Sequence, residues 1–446
     1  MKKKIWALCI CTVLFPVIVG GCSGSGNKVT SDLKKDKKVT LKFYSHGTES
    51  SYNWKNTIKA FEKKYPNIEI DLVVLSEKGD TQEATKKLDL AATSGEQMDI
   101  LMFSEPAMYA KRVSLGMVAP LDEFINNEGY IESEEYKVDT QINGKYYALP
   151  GKFNPWYVLL NKDHLDAAGL QIPKEWTWDE FMAYSKALTV NGHYGTYFHG
   201  PQNGSWMEYM RLALASDGEN TEFITEDMKA NLENPLFKKT LEIRLKMENE
   251  DKSVVPYADV LSKKLHYRDQ FFNQDVSTII IGSWMNADLG GNEQYPMNFH
   301  VAVAPYPKNT DADKGYAPIT TDYMAIAASS QYKKEAYNFI RWYTTEGQIV
   351  QGKNLPSWKK VSDRDFIRII ENILNSSKNP EKVDKESLIN VLKNAKSPKF
   401  ISPVSNQAEI YNVINQEYEK LIFGQQNIDQ TVQVSQEKVQ EIINNK

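Results

Sequence analysis

Val39-Thr40-Leu41-Lys42-Phe43-Tyr44, and the pattern that runs on from it to Phe103, set the architecture of the 446-residue chain. Leu41 and Phe43 are apolar members of a short strand. Ser45-His46-Gly47-Thr48 follows as a loop. Trp54, Ile58, Phe61 and Tyr65 then recur at helical spacing on one stripe, and Pro66 stops the helix. Ile68, Ile70, Leu72 and Val74 alternate, which is strand periodicity. Residues 81–94 read as a helix with Gly95 as its C-cap, and 99–103 as a buried strand ending in the loop 104–106. Strand, helix, strand, helix, strand predicts an open α/β sheet, largely parallel, with right-handed crossovers.

The pattern restarts after Pro150. Residues 156–161 are apolar and extended, and Thr177-Trp178-Asp179-Glu180 fits a capping box opening a helix to Leu188. Helices are predicted at 208–215, 236–247, 333–343, 408–422 and 428–443, and strands at 276–281 and 323–328. The lysine-rich runs 59–64 and 359–368 read as solvated helix faces. No internal repeat stands at solenoid spacing. Two successive α/β sections predict two lobes. Open α/β sheets bind ligands outside the C-terminal ends of their strands. Loops 45–48, 104–106 and 282–286 leave such ends, so the candidate site falls between the lobes.

The N-terminus predicts where the protein works. Lys2, Lys3 and Lys4 precede an apolar run from Ile5 to Val19, and Val19-Gly20-Gly21-Cys22 follows. A basic start, a short apolar core and small residues before the cut mark a secretory signal over 1–21. The cysteine after them resembles a bacterial lipobox, in which Cys22 becomes the first mature residue and carries lipid such as palmitate. The run is shorter than the roughly 20 residues a spanning helix needs. Residues 22–38, rich in Ser, Gly, Lys and Asp, read as a flexible tether. The other two cysteines, Cys9 and Cys11, leave with the signal, so the exported domain has no thiol for a disulfide, a metal or nucleophilic attack. Loss of three signal lysines takes the formal charge from -5 to about -8. That mild acidic excess argues against a nucleic-acid partner, which calls for a basic patch.

Eight tryptophans remain after the signal. Trp54 and Trp342 sit on amphipathic helices and read as core. Trp156, Trp206, Trp284 and Trp358 follow Asn-Pro, Gly-Ser, a strand end and Leu-Pro-Ser respectively. A flat indole covers the apolar C–H face of a sugar ring while Asn, Asp, Glu and Ser bond its hydroxyl rim. Packing in the core is the competing reading for each.

The pairs 39–44 with 61–68, and Ala91-Ala92-Thr93-Ser94-Gly95 with Asp99-Ile100, carry a resemblance. So do Leu115-Gly116-Met117-Val118-Ala119-Pro120-Leu121, Asn143 to Pro150 with Leu160-Asn161-Lys162, Phe272-Asn273-Gln274 with Gly282-Ser283-Trp284, and Lys334 to Ile340. In order and spacing the chain resembles the extracellular solute-binding family for carbohydrates. The resemblance implies an α/β, two-lobed periplasmic-binding-protein type II fold, with hinge crossovers and the ligand cleft between lobes. It implies one lobe from 39–149 plus 317–350 and another from 150–316 plus 351–446. It implies a monomer that captures a carbohydrate and delivers it to the permease subunits of an ATP-binding-cassette importer at the extracytoplasmic membrane face, with no cofactor.

By motif position, Trp284 matches a stacking tryptophan, Asn154 a ligand position that is acidic in a relative, and Phe103, Ser104 and Glu105 the loop after the buried strand. Ser45 and His46 match the first-strand loop. Trp206 and Glu208 match another ligand loop in looser register, and Tyr411 a C-terminal stacking aromatic. Ile319-Thr320-Thr321-Asp322 stands where many members have paired glycines, which places Asp322 toward the ligand. Trp358 joins the candidates as an indole after a turn.

Other functions leave weaker signs. A glycoside hydrolase needs two carboxylates about 5–10 Å apart, and no pair heads neighbouring barrel strands. A serine hydrolase needs a strand-to-helix nucleophile elbow, and none is present. The six histidines form no metal motif, and Asp311 to Gly315 lacks the spacing of a calcium loop. An adhesive stalk would show repeats or low complexity, and neither occurs.

Overall fold

The computed structural model describes residues 38–445 except 191, 400 and 402. The signal, Cys22 and the tether up to residue 37 lie outside the described residues. Among the described residues no helix is long and apolar enough to cross a membrane.

Two sheets organise the chain. The first runs in the order Ile68–Val74, Val39–Ser45, Ile100–Phe103, Tyr323–Ile326, Ala148–Pro150. The second runs Val301–Pro305, Asn154–Asn161, Val276–Gly282, Tyr194–Tyr197. The expectation of a largely parallel sheet is corrected: both sheets are mixed. Only strands linked by a local helical crossover are parallel in the first sheet. Tyr323–Ile326 arrives from the other lobe and pairs antiparallel on both sides. In the second sheet, Asn154–Asn161 lies antiparallel to both neighbours, and only Tyr194–Tyr197 pairs parallel, with Val276–Gly282.

Each element follows its sequence pattern. Helix Trp54–Lys64 buries Trp54, Thr57 and Phe61. Phe43, Trp54, Phe61 and Phe339 meet edge to face or tilted within 5.4 Å, which locks this helix and Lys333–Trp342 onto one face of the first sheet. All eight residues of Asn154–Asn161 are buried, as a central strand covered on both faces requires. Two departures have local causes. The helix expected at 208–215 is a 3-10 turn, Trp206–Met210, broken at Arg211 before Leu212–Ala215. The run 359–368 is only partly a solvated face, because helix Asp363–Asn375 turns Ile369, Ile370, Ile373 and Leu374 inward.

The chain changes sheets between Pro150 and Asn154 and returns between Thr320 and Tyr323. Ile319–Thr320 still pairs with Asn154 and Pro155 of the second sheet. A third passage follows helix Gln348–Gln351, where Pro356 bridges to Lys152 and Trp358 to Tyr136. The passages are cross-tied: Gly151 N–H donates to Asp322 O at 2.8 Å, Thr321 Oγ1 to Lys152 O at 2.6 Å, and Phe153 N–H to Leu355 O at 2.7 Å.

The capping box at Thr177 forms as the sequence indicates, with Thr177 Oγ1 accepting from Glu180 N–H and Glu180 reaching back to Thr177 N–H. Thr177→Ala is expected to cost about 1 kcal/mol of stability, measured by urea unfolding, because one helix-terminal donor loses its partner.

Candidate functional site

A cleft enclosing about 810 Å3, part of it open to solvent, lies between the sheets. All three loops expected to gather there do so: His46, Gly47 and Thr48 after the first strand, Ser104 and Glu105 after Ile100–Phe103, and Trp284 after Val276–Gly282. Trp284 stands at the start of the 3-10 turn Ser283–Asp288, partly exposed, with its ring at 82° to Trp156 and 5.4 Å away. Gly282 makes room for it: a Cβ there would fall 1.9 Å from Trp284 Cζ3. The indole therefore rests over bare backbone.

The first-lobe wall is built on a buried charge pair. Lys152, in the first passage between sheets, lies 3.0 Å from Asp322 in the second, with side-chain exposures of 8% and 0%. Tyr52 Oη accepts from Lys152 Nζ at 2.5 Å and donates to Asp322 Oδ2 at 2.8 Å. His46 lies 3.6 Å from Asp322, and burial drives its imidazole down to about 4 against the pull of that carboxylate, so it is neutral at pH 7. Lys152, Tyr52 and His46 face the cleft, and Asp322 stands behind them as the countercharge of Lys152. The second lobe repeats the device: Arg268 lines the cleft, bonds Tyr267 Oη, and is paired at 2.8 Å with Asp288, which is buried. Each cation offers donors to the cleft with its countercharge already in place, which suits hydroxyl groups.

Two buried hydroxyls on the cleft wall, Ser104 Oγ and Thr320 Oγ1, have no partner in the protein, while Thr81 turns toward Glu105 and the Trp284 indole toward Tyr267. Buried polar groups are normally paired, so the two hydroxyls point to a ligand that can donate and accept.

Other sequence candidates are placed differently. Ser45 is fully buried, and its hydroxyl accepts from Gly47 N–H at 2.9 Å, so it shapes the loop rather than lining the cleft. Phe103 packs near Tyr109 in the core. Asn154, 1% exposed, accepts from Ser283 Oγ at 3.2 Å and does not line the cleft. Asp322 stands one layer behind the ligand-facing wall. Trp358 packs on the first-lobe core and donates to Glu135 at 2.8 Å, away from the cleft. Trp206, Glu208 and Tyr411 line a second chamber of about 800 Å3, which shares Ser104, Glu105, Ser205 and Thr320 with the first. Trp206 is held there by Asn415 at 2.9 Å and stacked on Tyr257, and Glu208 is paired with Arg211 at 2.7 Å. Among the described residues no group of His, Cys, Asp or Glu is arranged to hold a metal.

Sequence reasoning missed Tyr52, Lys152, the turn 78–81 and the run His266-Tyr267-Arg268. Lys152 carried one signal, a lysine directly after Pro-Gly at a crossover.

Residues 44–349 match the family of bacterial extracellular solute-binding proteins. The chain belongs to this family. Its curated relatives include an ABC transporter extracellular-binding protein of Pyrococcus horikoshii, 24% identical over 81% of this chain and 83% of the relative. A mannitol-binding protein of Pseudomonas aeruginosa is 24% identical over 68% of this chain and 70% of its own length. The two-lobed type II fold is shared with solved binding proteins. The Listeria monocytogenes ABC substrate-binding protein in complex with cycloalternan gives a TM-score of 0.71 at 19% identity, covering 92% of this chain and all of that one. Maltose-bound MalE3 of T. maritima gives 0.67 at 18%, covering 91% and 100%. Within this solute-binding protein, the crossing of the chain between lobes is where Lys152 and Asp322 pair.

Asp322→Ala is expected to destabilise the protein by about 3–5 kcal/mol, because it strands a buried ammonium. Lys152→Met combined with Asp322→Ala should cost much less than the sum of the single changes, read from denaturant unfolding at pH 7.

Proposed function

We propose that this solute-binding protein captures a carbohydrate, an oligosaccharide by the extent of its cleft, and passes it unaltered to an ABC permease. One observation carries the reading: between two sheets, an indole on bare backbone shares a cleft with two unpartnered hydroxyls, Ser104 and Thr320, and two neutralised cations, Lys152 and Arg268. A sugar satisfies that set, with its C–H face on Trp284 and its hydroxyls on Ser104, Thr320, Lys152 and Arg268. Two adjoining chambers that share Ser104 and Thr320 with the cleft extend it past Trp206, Glu208 and Tyr411, which supports a ligand longer than one ring. Relatives support the class: one is named a mannitol-binding and another a maltotriose-binding protein.

The lobes are assigned as 39–149 plus 321–350 and 150–320 plus 351–446, the boundary expected at 317 moving to 321 because Ile319–Thr320 pairs with the second sheet. Ligand touching both lobes favours the closed form by its differential affinity, and the permease reads closure. The protein acts as a monomer without cofactor, held at the extracytoplasmic face of the cell membrane by lipid on Cys22. No bond is made or broken.

Mannitol, maltotriose and cycloalternan, tested by thermal shift and calorimetry, are expected to divide into binders that raise Tm and non-binders. Trp284→Ala should weaken the bound sugar by about 1–3 kcal/mol. No reducing sugar should appear on prolonged incubation. A wide glycan panel with no shift overturns the sugar reading, and steady turnover replaces it with a hydrolase.

A further inference from the structure

The two lobes touch directly at one edge of the cleft, where Glu105, Gly204 and Ser205 line it. On the first lobe, Glu105 stands at the N-cap of helix Pro106–Ser114 yet makes no capping bond. Its Oε1 accepts instead from Ser205 N–H of the second lobe at 2.9 Å. Ser205 holds a left-handed φ of +58° without being glycine, a strained conformation of the kind retained where surrounding structure enforces it. Gly204 precedes it. A Cβ at 204 would lie 2.5 Å from Thr81 Oγ1 and 3.0 Å from Glu105 Oε1, both across the seam. Nothing within the second lobe would meet that Cβ closer than those two atoms. The loop is shaped from its own side: His199, kept neutral by burial, donates from Nδ1 to Gly204 O at 2.9 Å.

We propose that Glu105, Gly204 and Ser205 form a closing latch, in which the lobes are held shut by a direct bond from the Ser205 amide to a Glu105 carboxyl oxygen, across a seam that admits no side chain at 204. Glu105 is then a positioning residue: it acts on capture through the opposite lobe. The latch concerns closure itself, whatever solute the cleft takes.

The seam links closure to protons. Desolvation between the lobes raises Glu105 to about 7, with the Ser205 amide opposing and Glu208 and Asp80 adding to the rise. Parting the lobes returns the carboxyl to water and its ordinary value. A group raised in the closed form favours that form as pH falls through about 7 and weakens it above. The charges around it are Asp80 and Lys78 on the turn before helix Thr81–Thr93, and Glu208 paired with Arg211. Glu222, on the far side of Arg211, is also raised to about 7, and His266 is lowered to about 4 by burial. Glu105→Gln separates Glu105 from these, since a carboxamide oxygen still accepts from Ser205 but does not titrate.

The test reads the full mature chain without any sugar, by hydrogen exchange at Ser205 corrected for intrinsic rates and by the radius of gyration from small-angle scattering. Protection at Ser205 in the native sequence is expected to rise about tenfold from pH 8 to pH 6, and to be flat with pH in Glu105→Gln. Gly204→Ala should lose that protection and enlarge the radius while amides of 279–281 stay protected. Adding Thr81→Ala should restore part of it by removing the nearest clash. Gly204→Ala with native protection and radius overturns the latch, as does Glu105→Gln with the native pH slope. If Gly204→Ala also exposes 279–281, the Glu105→Gln pH comparison decides alone. A failed sugar screen leaves these outcomes untouched, so the latch and the sugar reading fall separately.

Discussion

The pairing of Lys152 with Asp322 is the constraint around which the two lobes are arranged. Each residue sits in a different passage of chain between the sheets, and each is buried against the other. The backbone bonds beside them, Gly151 to Asp322 and Thr321 to Lys152, bring the passages into register. Tyr52 and His46 take their places from the same pair, and so the first-strand loop reaches the cleft in one conformation. The two passages are thus tied by charge and backbone bonds rather than joined as a loose linker. The second lobe keeps the symmetry of charge with Arg268 and Asp288, and a neutral, hydroxyl-bearing solute meets no unbalanced field from either wall.

Much of the fold could be read from the chain because it rests on periodicity. The stripe of Trp54, Ile58, Phe61 and Tyr65, the alternation after Pro66 and the Thr177 capping box are local patterns, and local patterns survive into the folded state. Strand direction did not follow from them. Tyr323–Ile326 and Asn154–Asn161 are ordinary apolar strands in sequence, and their antiparallel pairing comes from where the chain crosses between lobes, a property of the whole path.

The site was legible to the depth of one loop. Strand-end loops were expected to converge, and His46, Ser104, Glu105 and Trp284 do. What failed was the separation of wall from backing. Ser45 and Phe103 stand at strand ends beside cleft-lining His46 and Ser104 but turn into the core, since alternation along a strand sends neighbours to opposite sides; Asn154 and Asp322 are buried where the chain passes between the sheets. Trp358 followed a turn, as a cleft indole would, but its partner Glu135 comes from a stretch more than two hundred residues earlier. Lys152 and Arg268 were missed for the converse reason: a lone basic residue reads as surface until its buried aspartate is seen.

Gly282 has a consequence for the shape of the cleft. The indole wall exists because one position carries no side chain. Any other residue there would put its Cβ inside the Trp284 ring and evict it. The floor of the cleft therefore depends on the last residue of the strand behind it, two positions before the residue that forms it.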